Sequence, residues 1–108
     1  MADIFRMAAK TLTSTTNTTV AQMGTSSTAV VRGITFCNTG TASATYDLLV
    51  VPDGLTSAVY MIRAASLASQ ATGQPLNSTI VLNPGDRLQA RASAANVLDV
   101  TASYLESF

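Results

Sequence analysis

Few side chains in this sequence can do chemistry. There are six carboxylates, one lysine (Lys10), one cysteine (Cys37) and no histidine. Two carboxylates held close together can serve as the acid and base of a glycosidase. The candidates are Asp47, Asp53, Asp86, Asp99 and Glu106, and nothing in their spacing forces any two together. Asp53 and Asp86 sit in Pro-Asp-Gly and Pro-Gly-Asp turns, where aspartate commonly bonds its own backbone. The same two could ligate Ca²⁺, but no EF-hand-like spacing supports that.

Without histidine there is no Ser-His-Asp triad and no histidine-based metal site. A Ser-Lys dyad would have to use Lys10, beside the N-terminal segment. Cys37 would need a neighbouring group to activate it as a nucleophile. In an apolar strand it reads instead as a buried small hydrophobe, and a lone cysteine forms no intrachain disulfide. Glycines stand singly, with no phosphate-binding loop and no Gly-x-Gly-x-x-Gly. Asn17-Thr18-Thr19 and Asn77-Ser78-Thr79 match the glycosylation sequon, which chance supplies readily in a Ser/Thr-rich chain. The expectation is a protein with no enzymatic activity, no cofactor and no metal.

The elements that would position these residues are strands. Thr28–Asn38 is the strongest, with Val30, Ile34 and Phe36 on one face and Val31, Thr35 and Cys37 on the other. Its β-branched residues suit a pleated surface, and Asn38-Thr39-Gly40 ends it. Ala42–Val51 alternates Tyr46, Leu48 and Val50 against Thr45, Asp47 and Leu49. Further strands are expected at Lys10–Ser14, Thr18–Met23, Ser57–Ala65, Leu76–Leu82, Asp86–Ala92 and Asn96–Leu105, with helical turns at Ala8-Ala9 and Leu67–Gln70. Asn83-Pro84-Gly85-Asp86 reads as a hairpin corner: proline presets the first central φ, and glycine accepts the positive φ of a type II turn at the second.

Seven or eight short strands at regular spacing predict an all-β fold, a single-domain antiparallel β-sandwich with the jelly roll among its forms. A closed barrel is the alternative. Residues 1–9 read as an N-terminal arm and residues 10–108 as the sandwich domain.

Composition bears on partners. Of 108 residues, 47% are hydrophobic and only 11% charged, and net charge is zero, against about 25% charged in a typical soluble domain. So little charge points to a surface largely covered by other chains, and to a homo-oligomer, a trimer among the options. Scattered, balanced arginines argue against direct nucleic-acid binding. No segment is long and apolar enough to span a membrane, and MADIFRMAAK lacks the apolar core of a signal peptide. The residues expected to meet partners are the apolar ends, Ile4, Phe5, Met7, Leu105 and Phe108, and the arginines Arg32, Arg63, Arg87 and Arg91. Arg32 and Arg63 interrupt apolar strands, while Arg87 and Arg91 share a polar face with Gln89.

The stretches TAVVRGITFCNTG, TYDLLVVPDG, IVLNPGDRLQARAS and VLDVTASYLESF resemble small β-sandwich virion proteins of tailed bacteriophages. The resemblance covers residues 28–106 and carries no catalytic residues. It implies a virion structural role, with assembly in the host cytoplasm and the major capsid protein or another virion protein as partner. Capsid decoration (cement) is the leading form. A neck, tail or fibre-base accessory protein and a carbohydrate- or receptor-binding module are the alternatives. The Leu-Asn-Pro-Gly-Asp turn also resembles cupin jelly rolls, but their His-rich metal site has no counterpart here.

Overall fold

Alternating apolar residues and turn signals resolve into nine strands in the computed structural model, which describes residues 3–75 and 79–108. They are β1 (Asp3–Thr11), β2 (Thr18–Gln22), β3 (Thr28–Asn38), β4 (Ala44–Val51), β5 (Val59–Leu67), β6 (Thr72–Gly73), β7 (Ile80–Leu82), β8 (Arg87–Ala92) and β9 (Leu98–Ser107). Sheet A runs β1-β9-β3, with β6 and β7 both on the far side of β3. Sheet B runs β2-β8-β4-β5. Every pairing is antiparallel.

The pairings are nested. β1 meets β9, β2 meets β8, β3 meets β6 and β7, and β4 meets β5. β3–β9 and β4–β8 contacts then complete the two sheets. A long hairpin wrapped in this way is the jelly roll, one form of the expected sandwich.

The inner faces hold the core. Leu12, Val31, Ile34, Phe36, Leu48, Leu82, Leu88, Leu98 and Val100 are almost wholly buried, each large side chain contributing roughly 1.5–3 kcal/mol on burial. Phe36 of sheet A stacks on Tyr46 of sheet B with ring centroids 4.0 Å apart, so one aromatic pair ties the layers together. Fully buried Asn38 is satisfied by its surroundings. Its Nδ2 donates to the Ala42 and Leu67 carbonyls (2.9 and 3.1 Å), and its Oδ1 accepts from the Gly40 amide. The Asn-Thr-Gly turn signal is therefore also a buried peg between the β3–β4 loop and the end of β5.

Five expectations change. Residues 3–9 do not stand away as an arm, nor does Ala8-Ala9 form a helical turn; they belong to β1, paired along its whole length with β9. In β3 a bulge between Val31 and Gly33 adds one residue, so Val31 joins Ile34 and Phe36 inside, and Val30 faces out. A strict period of two cannot see such an insertion. Cys37, expected to be buried, is only half-buried and lies on the outer face, where it opposes Asp99. Leu67 belongs to β5, and a turn with the Ala71 amide donating to the Ala68 carbonyl replaces the helical turn. The expected strand at Leu76–Leu82 is seen as β7 over Ile80–Leu82; residues 76–78, including most of the second sequon, lie outside the described residues.

Candidate interaction faces

The outer face of sheet A carries an apolar row. In register, Phe5 of β1 opposes Leu105 of β9, Leu105 opposes Val30 of β3, and Val30 opposes Val81 of β7. Phe5 is 80% exposed and Val81 60%. The adjacent row holds Met7, 71% exposed, then Ser103 and Gly33. Arg32, exposed at the bulge, helps line a groove of about 590 Å³ with Phe5, Arg6, Met7, Ser103 and Tyr104. The fold thus gathers four sequence-predicted residues, Phe5, Met7, Arg32 and Leu105, on one face. Ile4 lies on the other side of β1, opposite Glu106, and Phe108 follows the end of β9, partly exposed.

Val30 and Val81 escaped sequence reading. Val81 sits in an unbroken Ile-Val-Leu run, which gives no sign of which residue faces out, and Val30 was moved outward by the bulge.

The outer face of sheet B carries a polar network tied to itself. Buried Asp47 accepts the Ala64 amide at 2.6 Å and two bonds from Arg91, from Nε at 2.9 Å and Nη2 at 2.6 Å. Arg91 Nη2 also donates to the Tyr60 hydroxyl at 2.8 Å. These bonds, Asp47 first and Tyr60 second, raise the guanidinium pKa above its already high ordinary value. The Arg63 guanidinium sits 5.0 Å from the Tyr60 ring centroid, a cation–π contact. Beside this cluster lies a pocket of about 330 Å³ lined by Thr15, Thr45, Asp47, Arg63, Arg91 and Ser93, among others. Arg91, expected to face solvent or a partner, is thus engaged within its own chain. Half-buried Arg87 lies farther along β8, opposite Val51 and Gln22.

The third cluster is the Asn83–Asp86 turn. Gly85 has φ of 85°, as a type II turn requires. Asp86 Oδ2 accepts the Asn83 amide and Oδ1 the Asp53 amide, both at 2.9 Å. The Gly85 amide donates to the Gly24 carbonyl, and the Met23 amide to that of Asp86. One buried carboxylate and its turn therefore clasp three loops at one end of the sandwich.

Three further carboxylates are engaged. Asp99 accepts from the Thr11 hydroxyl, Asp3 from the Ser107 hydroxyl, and Glu106 from Arg6. Among the described residues no three of Cys, Asp and Glu come together as metal ligands would.

No family model matches the sequence, and no curated protein matches it. Among the solved structures it aligns with, one reaches a likeness of fold. A chain in the acidic stable capsid structure of Helicobacter pylori bacteriophage KHP30 is similar over 98% of this chain and 87% of its own, with TM-score 0.55 and 11% identity. The structure of Eiger TNF from S. frugiperda aligns with 82% of this chain and 61% of its own, with TM-score 0.38 and 14% identity.

Proposed function

We propose that this chain is a non-enzymatic structural protein of a tailed-phage virion, and within that class a capsid decoration (cement) protein bridging neighbouring major capsid subunits. The observation that carries the reading is the outer-face apolar row Phe5–Leu105–Val30–Val81, exposed at both ends and half-buried between them, with exposed Met7 beside it. A contiguous apolar surface on a small domain marks a site for another chain. The capsid chain of similar fold supports the virion setting. Engagement of Asp47, Asp86 and Asp99 within the chain and the absent histidine support a role without catalysis.

The mechanism is additive. The sandwich is a stiff plug, and each apolar contact with the shell is weak. Repetition over a lattice makes detachment or rupture costly without any tight single site.

Quantitative mass spectrometry of virions of the phage encoding this chain tests the reading. A stoichiometry comparable to that of the major capsid protein is the decoration outcome. A few copies per particle would move the chain to the neck or tail. Absence from particles, with no binding of the purified chain to empty shells, would overturn the virion role.

A further inference from the structure

The edges of the two sheets differ in how open they are to another strand. In sheet B, β2 is broken by a register shift between Thr19 and Ala21. β5 carries two such shifts against β4, and Ala64 within it has a positive φ of 55°. On the far side of sheet A, β6 and β7 are only two and three residues long. Bulges and short strands are the usual devices that keep sheet edges from pairing with other chains. β1 has neither. It is nine residues long, contains no proline or glycine, keeps unbroken register with β9, and is exposed along nearly all its length. Among the described residues its only ladder partner is β9, so one row of backbone donors and acceptors stays open.

We infer that β1 pairs antiparallel with β1 of a second copy, joining two copies of sheet A into one continuous sheet about a two-fold axis at Met7. The charges select this register. Centred on Met7, the pairing opposes Asp3 with Thr11, Ile4 with Lys10, Phe5 with Ala9 and Arg6 with Ala8, so that no like charges face each other. Sliding by two residues, the smallest step that keeps both outer faces on one side, opposes Arg6 with Arg6 in one direction and Arg6 with Lys10 in the other. Directly opposed like charges destabilise a sheet. The centred register also pairs every residue of β1, and Met7 packs on its own symmetry mate. The Met7 rows of the two copies then meet at the axis, and the two Phe5 rows flank it, each continuing into Ala9 of the other copy.

This dimer does not rest on the virion reading, because it is a property of the free chain. Light scattering and sedimentation on the purified full chain test it. The expected mass is twice the 11.2 kDa of one chain, falling toward one chain on dilution. Met7→Arg opposes two arginines at the axis and is expected to give monomer with an unchanged circular dichroism spectrum and the melting temperature of the wild-type chain diluted to monomer, since Met7 is exposed. In a Cys37→Ser background, Met7→Cys is expected to form an intermolecular disulfide on mild oxidation, whereas Phe5→Cys, which faces Ala9 of the other copy, is not. Antiparallel partners lie within the Cα separations a disulfide needs. A monomer up to the solubility limit, a trimer, a dimer that survives Met7→Arg, or cross-linking through position 5 rather than 7 would each overturn the inference. Loss of the virion role alone would leave it standing.

Discussion

The carboxylate of Asp86 accepts the backbone amide of Asp53 at 2.9 Å across 33 residues of sequence. The two aspartates meet at a corner of the fold and do structural work there. Both oxygens of Asp86 are occupied by amides, so Asp86→Ala leaves the Asn83 and Asp53 N–H groups without acceptors. The expected cost is about 2–3 kcal/mol, or roughly a 10 °C fall in melting temperature. Asp86→Asn keeps an acceptor for one amide only and should fall between. Thermal unfolding followed by circular dichroism measures both.

Gly85 tests the same corner from the other side. A Cβ there would collide with the Asp53 carboxylate, in addition to the strain of φ at 85°. Gly54 has φ of 82° with open space around it. Gly54→Ala is expected to cost about 1 kcal/mol from backbone strain alone, and Gly85→Ala clearly more. Combining Gly85→Ala with Asp53→Ala should recover part of the excess, since the Asp53 Cβ, 2.9 Å from the added atom, remains; a double-mutant cycle in urea reads that part directly.

The two arginines of β8 should separate. Arg87→Ala is expected to leave stability unchanged, whereas Arg91→Ala frees Asp47 and Tyr60 together and should destabilise. Asp47→Ala removes the acceptor of the Ala64 amide as well, at a cost of about 1–3 kcal/mol. Chemical denaturation of the three variants checks the order.

Burial raises the pKa of Tyr46 above the ordinary tyrosine value of about 10. The folded state therefore favours the neutral phenol. Its stabilising effect is complete below about pH 10 and is lost as the pH climbs through the raised folded value, because the unfolded chain ionises first. Tyr46→Phe keeps the ring stacked on Phe36 and should flatten this alkaline decline. Urea midpoints from pH 8 upward would show it.

Strand positions and the sandwich were legible in the sequence because both depend on alternation and turn chemistry. Tyr46, Leu48 and Val50 face inward as the period of two requires, and Asn83–Asp86 is the corner its residues describe. The joining of β1 to β9 was not legible, because the partner strand lies at the other end of the chain and no local pattern encodes it. Nor was the inward turn of Val31, since a bulge adds a residue without changing composition. Arg91 looked free because its charge partner, Asp47, is 44 residues away and meets it only through the β4–β8 register. The apolar face was half legible: Phe5, Met7 and Leu105 stand out in the sequence, whereas Val30, Val81 and the assembly into one row needed the registers of four strands.

The nesting of the strands also orders events in time. Among the described residues β1 finds its ladder partner only in β9, and β3 draws its longest one from the same strand. On a ribosome, β1 emerges first of the nine strands and waits unpaired while the other eight are made. Until β9 arrives, β1 and β3 each keep an open strand edge, and the core lacks Leu98, Val100 and Ala102. So many long-range pairings predict slow folding, and the interval before closure is when the chain is most exposed to pairing with its neighbours.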